Sequence, residues 1–593
     1  MEGPDLRFAS RRLFGPWVDR VDRSTLRADA LAALPNAVLA LPQGIAFATL
    51  AGLPPVYGIY SAIVPCAVAA AFGSSWHVIS GPTNANSLAL FALLAPLAAA
   101  GSPEYIALAL AVTVLVGLLQ WLVGALRLGS LANFISPSVL MGFMSGAALM
   151  IAVHALKDVM ALDLPSGARP VSLLIAASGR LTDPREPAIV VGTVTLVATV
   201  VARRFDRRLP FLMLGLVAGG LVAWAINRHG SAWGLGPVRV VGPIPGALPP
   251  PSLPRFEIGR LPELLGIAFA LAIVALGQSI SIAKAIALRS GQRIDANREF
   301  IGQGLSNIVG GFFSCYLSCG SLNRSLPNLE AGARTPLAAV FSAVALLLLV
   351  LVSQPLLEQI PLAAIGGLLL FVAWSLLDIA RWRRLARTNR TELAIAGATL
   401  VATLVTRMDM AILIGTVASL VVYLQRTSRP AMREMGFATM APDRRLAVLD
   451  DARVPQHECP QLKMLRMEGS VYFGAVQHVS DRLHALRDAP DHPRHLLVMS
   501  KSMNFLDHAG AEVWEAELAS RRAEGGDLYF HRPRPGVLDT WRRSGFIEQI
   551  GADHLFEDKR SAIATIVPRL DSTICARCRV RRFWECPQPP ARA

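Results

Sequence analysis

Charge is scarce in this chain. Only 17% of its 593 residues are Asp, Glu, Lys or Arg, against 53% hydrophobic. A soluble protein of this length carries more charge, so an ordinary globular protein is excluded. The chain also lacks the local signatures of common enzymes. It has no Walker-type glycine loop, no G-x-S-x-G elbow and no HExxH pair. An enzyme reading has nothing to rest on, and no cofactor is expected. The N-terminal stretch MEGPDLRFASRRLFGPWVDRVDRS has no apolar core and is no cleavable signal peptide. Its arginines suit a cytoplasmic leader over residues 1–24. Cysteine is sparse as well, with seven in all. Cys66, Cys315 and Cys319 lie in or beside apolar stretches, and the other four lie in the polar C-terminal region, where a cytosolic setting disfavours disulfides.

What the chain has in abundance is apolar runs near the length that spans a bilayer as a helix. YIALALAVTVLVGLLQWLVGAL (Tyr105 to Leu126) is one, and LAIAGATLVATLV (Leu393 to Val405) belongs to another. These predict a polytopic α-helical membrane protein in a lipid bilayer. The net charge of +15 gathers in short basic loops: Arg203, Arg204, Arg207 and Arg208; Arg289, Arg293 and Arg298; Arg381, Arg383, Arg384, Arg387 and Arg390. Such loops face the cytoplasm, which accounts for the excess without nucleic acid as a partner.

Composition changes near Gln425. The membrane domain is expected over residues 25–427, a linker over 428–440, a small α/β domain over 441–570 and a Cys/Arg-rich tail over 571–593. QLKMLRMEGSVYF, HLLVMSKS and DLYFH read as strands. GAVQHVSDRLHALRDA and AGAEVWEAELASRRAEGG read as helices, and the alternation implies a sheet covered by helices.

The membrane domain contains a pair of corresponding broken motifs. LPQGIAFATLAG (Leu41 to Gly52) matches LGQSISIAKAIA (Leu276 to Ala287), and SGPTNANS (Ser80 to Ser87) matches CGSLNRSL (Cys319 to Leu326). Gln43 thereby pairs with Gln278, Gly81 with Gly320 and Asn84 with Asn323, at a nearly constant offset. Interrupted segments at corresponding places in two halves mark a transporter site. Gly81 and Pro82, like Gly320 and Pro327, break or start helices. A helix that begins in mid-membrane offers free N–H groups and a positive dipole end to an anion. Arg324 adds a full charge inside a span, and such a residue is functional by default. His77 and His154, near spans, read as packing or hydrogen-bonding residues.

LPNAVLALPQGIAFATLAGLPPVYGIYSAIVP (Leu34 to Pro65), GSSWHVISGPT and RIDANREFIGQGLSNIVGGFFSCYLSCGSLNRSLPNLEAGARTPLA (Arg293 to Ala338) resemble signatures of the SulP sulfate permease family. The polar C-terminal region resembles the STAS domain that this family carries at its C-terminus. The resemblance implies fourteen segments as two inverted seven-segment repeats, a core and a gate domain, and both termini cytoplasmic in a multi-pass protein of the cytoplasmic membrane. It further implies a homodimer and elevator-type movement of a sulfate- or bicarbonate-like anion. By motif position Gln43 and Phe47 line the site, Gly81, Pro82 and Thr83 open segment three, and Gly320, Leu322, Asn323 and Arg324 open segment ten. Gln278 stands where the family usually has glutamate, which favours anion exchange or an uncoupled channel or uniporter over proton symport. A non-transporting sensor acting through STAS is the remaining alternative. In FLDHAGAE, Ala509 replaces the phospho-acceptor serine, so a cytosolic partner of the STAS domain cannot act by phosphorylating that position.

The tail holds ICARCRVRRFWEC. Cys575, Cys578 and Cys586 have metal or redox spacing, and a zinc site would need a fourth ligand from His457 or Cys459.

Overall fold

The computed structural model describes residues 11, 14–130, 136–161, 187–206, 210–233, 236–242, 246, 248–256, 258–406, 408–437, 446–449, 458–489, 492–581 and 583–586. Arg207, Arg208 and His457 fall outside them. The chain divides into two compact units, Met1–Ser419 and Leu420–Ala593.

In the first unit the chain runs α1 (Arg23–Leu50), α2 (Pro55–Phe72), β1 (Ser80–Gly81), α3 (Asn84–Leu94), α4 (Pro103–Ala125), α5 (Pro137–Val159), α6 (Pro187–Phe205) and α7 (Phe211–Trp233). A second series follows: α8 (Leu261–Ser290), α9 (Ala296–Phe312), β2 (Cys319–Gly320), α10 (Leu322–Glu330), α11 (Leu337–Leu357), α12 (Leu362–Leu376), α13 (Ile379–Thr388), α14 (Arg390–Val405) and α15 (Met408–Thr427). Nine helices among the described residues are long and apolar enough to cross a membrane. Shorter helices, including α3 and α10, complete two sets of seven, with α13 outside both. The arginines expected in a loop at 381–387 sit instead on α13. Asp378 caps that helix by accepting from Arg381 N at 2.9 Å, which lets a polar stretch close helical turns.

The packing repeats about a two-fold relation. α1 lies on α11 and α8 on α4; α4 lies on α9 and α11 on α2; α2 meets its counterpart α9. Elsewhere α6 lies on α12 and α14 on α5, and α5 meets its counterpart α12. One bundle therefore holds α1–α4 and α8–α11, and another is built on α5–α7, α12 and α14. Small residues set the spacing, as they do where helices pack without a hydrophobic driving force. A Cβ on Gly117 of α4 would stand 2.7 Å from Gly304 O of α9.

In the second unit the sheet order is β4-β3-β5-β6-β7-β8, from β3 (Ala431–Phe437), β4 (Leu446–Val448), β5 (Leu462–Val471), β6 (His495–Leu506), β7 (Leu528–His531) and β8 (Leu555–Phe556). β5 to β8 run parallel, and β3 is antiparallel to β4 and β5. β3 lies in the stretch expected as linker. Its apolar residues Met432 and Met435 are buried on opposite faces of the sheet. Helices α16 (Val476–Arg487), α17 (His508–Ala523), α18 (Pro535–Ser544) and α19 (Phe546–Ile550) pack their apolar residues on one face, centred on Trp514, Phe530 and Trp541. Helix α20 (Lys559–Ile566) packs with Leu497 and Tyr529 on the other, near α21 (Ser572–Arg577). Both faces are covered, as a parallel sheet requires.

His554 ties this sheet to its margin. Its Nε2 lies 2.8 Å from Asp527 Oδ2, its Nδ1 lies 2.9 Å from Asp553 Oδ1, and its ring stacks on Tyr529 at 4.8 Å. Burial pulls its pKa down, but the hydrogen bonds and charges of the two carboxylates outweigh burial and raise it. Stability from such a group is complete below the unfolded value, about 6.5, and is lost as pH rises through the folded value. We predict that His554→Gln costs the C-terminal unit more stability at about pH 6 than at about pH 8.5. Protease-protection midpoints of the full-length protein at both pH values measure it, and a pH-independent cost would contradict the tie.

Candidate functional site

The two halves of the membrane unit meet at a two-strand bridge. Ser80 faces Gly320 and Gly81 faces Cys319, antiparallel. Equivalent strands can pair this way when one repeat is inverted relative to the other. Each strand leads into a short helix, α3 after Thr83 and α10 after Ser321, and neither N-cap side chain bonds its own helix. Two uncapped positive helix ends thus converge on the bridge. Helices α1 and α8 each pack against both α3 and α10.

Arg324, in the first turn of α10, is 1% exposed. Its Nη2 donates to Pro82 O at 2.9 Å, and Nε is buried without a hydrogen-bond partner. The titratable side chains beside it are the neutral Cys66, Cys319 and Tyr316, with no carboxylate among the described residues. The guanidinium lies flat against Gly81, where a Cβ would stand 2.5 Å from Nη1, and Gly81 has φ +153°. Glycine is therefore required there twice over, by space and by backbone. Arg324 was expected to bring a full positive charge to the opening of segment ten, and the structure sets that charge against β1, at Gly81 and Pro82.

Around it the structure gathers several predicted residues. Thr83 Oγ1 is 3.4 Å from Gln278 Oε1 and 3.3 Å from Cys319 Sγ. Cys319 Sγ is 3.4 Å from Gln278 Oε1, and Ser279 Oγ accepts from Gly320 N at 3.2 Å. Leu322 and Asn323 are exposed at the opening of α10. Gln43 and Phe47 are buried on α1, and Gln43 Oε1 has no hydrogen-bond partner.

The sequence reading passed over Cys319 and the supports behind the bridge. Ile79 N donates to Ser325 Oγ at 2.9 Å, Gln303 Nε2 to Ser80 Oγ at 2.6 Å, and Asn328 Nδ2 to His77 O at 3.1 Å. The only sequence signal for them was adjacency to the broken motifs. His154 is held within α5 by its Nδ1 contact to Met150 O at 2.8 Å and meets Phe91 of α3 edge-on. Lys284 is exposed. Cys575, Cys578 and Cys586 lie in the other unit, where they line one small cavity with Cys459.

Residues 26–399 match the model of the Sulfate permease family, and residues 453–562 match the STAS domain. The chain is 31% identical over 493 residues to human solute carrier family 26 member 6, covering 79% of this chain and 64% of that protein. It is 28% identical to a probable sulfate transporter of Mycobacterium tuberculosis, covering 91% and 95%. Its fold is similar to that of the murine solute carrier 26 family member A9 anion transporter in the inward-facing state, with TM-score 0.82, 20% identity and 95% and 94% of the two chains covered. It is also similar to the transmembrane domain of a cyanobacterial bicarbonate transporter, with TM-score 0.58, 24% identity and 68% and 98% covered.

Gly81→Ala should force the guanidinium away, at a cost of roughly 1–3 kcal/mol. Gly320→Ala should be milder, because the tightest contact of its Cβ would be Val78 Cγ1 at 3.1 Å, with the Ser279 backbone at 3.6 Å and beyond. Thermal melting of the purified protein with and without candidate anions measures both. Equal losses of anion-dependent stabilisation would show that Arg324 does not depend on Gly81.

Proposed function

The chain belongs to the Sulfate permease family and is an anion transporter of that kind, and from this premise we propose that its site is the bridge between α3 and α10. The observation that carries the reading is a buried guanidinium with no carboxylate partner among the described residues. A buried charge lacking a partner costs several kcal/mol. A small anion held between two uncapped helix ends supplies the missing counter-charge. The N–H groups opening α3 and α10, with Thr83 and Asn323, can donate to its oxygens. Gln43, Phe47, Gln278 and Leu322 would shape the pocket.

Every proposed site residue lies on α1, β1–α3, α8 or β2–α10, and none lies on α5–α7, α12, α14 or α15. This supports an elevator movement in which the bundle of α1–α4 and α8–α11 carries a sulfate- or bicarbonate-like anion past the other. We place the protein in the cytoplasmic membrane with both termini cytoplasmic, as a homodimer, with transport in residues 25–427. The STAS domain would be open to a cytosolic regulatory partner. Gln278 favours exchange or uncoupled flow as the second reading, because an amide cannot carry a proton with the anion.

Uptake of radiolabelled sulfate and bicarbonate into proteoliposomes, with and without internal anion, tests the reading. Arg324→Ala should lower apparent affinity roughly ten- to a hundredfold, the equivalent of losing a charge-assisted interaction. Wild-type uptake by that variant would remove Arg324 from the site. In the wild type, uptake should not follow an imposed pH gradient at zero potential. Gln278→Glu should make it do so, rising as pH falls, since a carboxylate at this position competes with the anion until it is protonated. Strong proton-driven accumulation by the wild type would place coupling on another group.

A further inference from the structure

The cysteines of the second unit are not scattered. All four of them, Cys459, Cys575, Cys578 and Cys586, line one small cavity together with Pro460, Gln461, Leu570 and Arg581. Cys459 comes from the entry to β5, Cys575 from the last turn of α21, Cys578 from just past it, and Cys586 from the end of the described chain. Separate contacts bring these distant pieces together. The Gln461 side chain clamps Asp571, its Oε1 accepting from Asp571 N at 2.9 Å and its Nε2 donating to Asp571 O at 3.1 Å. Phe583 is buried in the same apolar cluster as Leu462, Ile563 and Leu570, which carries Cys586 inward.

None of the four is in a disulfide, and each is partly exposed, whereas Cys66, Cys315 and Cys319 in the membrane unit are fully buried. Cysteines serving only as small apolar filler are among the most buried residues, and these four are not. Gln461 Nε2 also lies 3.2 Å from Cys575 Sγ. An amide N–H aimed at sulfur is the kind of outer contact that orients a thiolate ligand.

We propose that Cys459, Cys575, Cys578 and Cys586 form a four-thiolate site for Zn²⁺ that pins the C-terminal segment to the entry of β5. A Cys-x-x-Cys pair completed by two further thiolates is a structural zinc set. Zinc with four thiolates carries a net charge of −2, and Arg577, Arg579 and Arg581 are at hand in the same segment to offset it. No three His, Cys, Asp or Glu side chains among the described residues are preassembled as a metal set. On this proposal the ion draws the sulfurs together as it binds, the way metal binding couples to local folding.

The test uses the full-length protein, purified in detergent without chelator or added metal. Elemental analysis should find about one zinc per chain, falling severalfold in Cys578→Ser and in Cys459→Ser. Gln461→Ala, which keeps all four thiols, should weaken zinc binding roughly ten- to a hundredfold. Should a cysteine variant fail to fold, chelator-treated wild type loaded with Co²⁺ gives a second reading. Thiolate-to-cobalt charge-transfer absorption should appear and be displaced by Zn²⁺. The proposal is overturned if no zinc is bound and no such absorption appears, or if zinc content is unchanged in the cysteine variants. Iron with acid-labile sulfide in place of zinc, or a disulfide among these four cysteines in the alkylated protein, would equally overturn it.

Discussion

A single buried charge organises the membrane unit. Arg324 stands in the first turn of α10, 1% exposed, its guanidinium hydrogen-bonded to Pro82 O, with no carboxylate partner among the described residues. Two converging helix N-termini add partial positive charge on the same spot. Each of these terms disfavours the arrangement by itself, and the proposed anion would relieve them all. On that proposal the site gathers interactions that are unfavourable together until it is occupied. Selectivity for negative charge would then follow from the backbone and one side chain, without a specialised ligand set.

Such an arrangement persists only where the surrounding structure holds it. Behind the bridge, Ser325 accepts from Ile79 N, Gln303 donates to Ser80 Oγ, and Asn36 Nδ2 reaches Asn328 Oδ1 at 3.0 Å. Further out, Glu299 Oε2 accepts from Ser74 N and Ser75 N at 2.9 and 3.0 Å, fixing the chain that enters β1. Asp29 accepts from Arg334 N and Thr335 N, fixing the chain that leaves α10. Glu299 and Asp29 here serve peptide groups outside the helices, while Gln303 and Asn36 hold side chains of the bridge and of α10. These supports all lie within one bundle, as the proposed elevator movement requires.

Much of this was legible in the sequence, for local reasons. Span-length apolar runs, the paired broken motifs and the strand–helix alternation of the second unit are all properties of contiguous residues. What escaped were pairings between distant segments. β3, with Arg433 and Glu434 in its middle, does not read as a strand, and it exists because β5 offers it an edge. α13 looks like a loop until Asp378 caps it. The placement of the Arg324 guanidinium depends on Gly81 and Pro82 in the other half of the chain. Cys459 could be named as a candidate beside Cys575, Cys578 and Cys586, but only folding places it there.

The two faces of the C-terminal sheet now differ in chemistry. On the face covered by α16 to α19, the loop entering α17 keeps its form without a hydroxyl at Ala509. Asp507 Oδ1 accepts from Gly510 N at 2.8 Å and its Oδ2 accepts from Phe473 N at 2.9 Å. A Cβ at Gly510 would stand 2.4 Å from Val471 O, so the helix is seated directly on the end of β5. That loop is a fixed structural junction with no group at position 509 to modify. The opposite face carries the four thiols, partly exposed and joined to the sheet through Gln461. All the cysteines of the C-terminal unit therefore lie on the face away from α17, where the entry to β5 meets the last described segment.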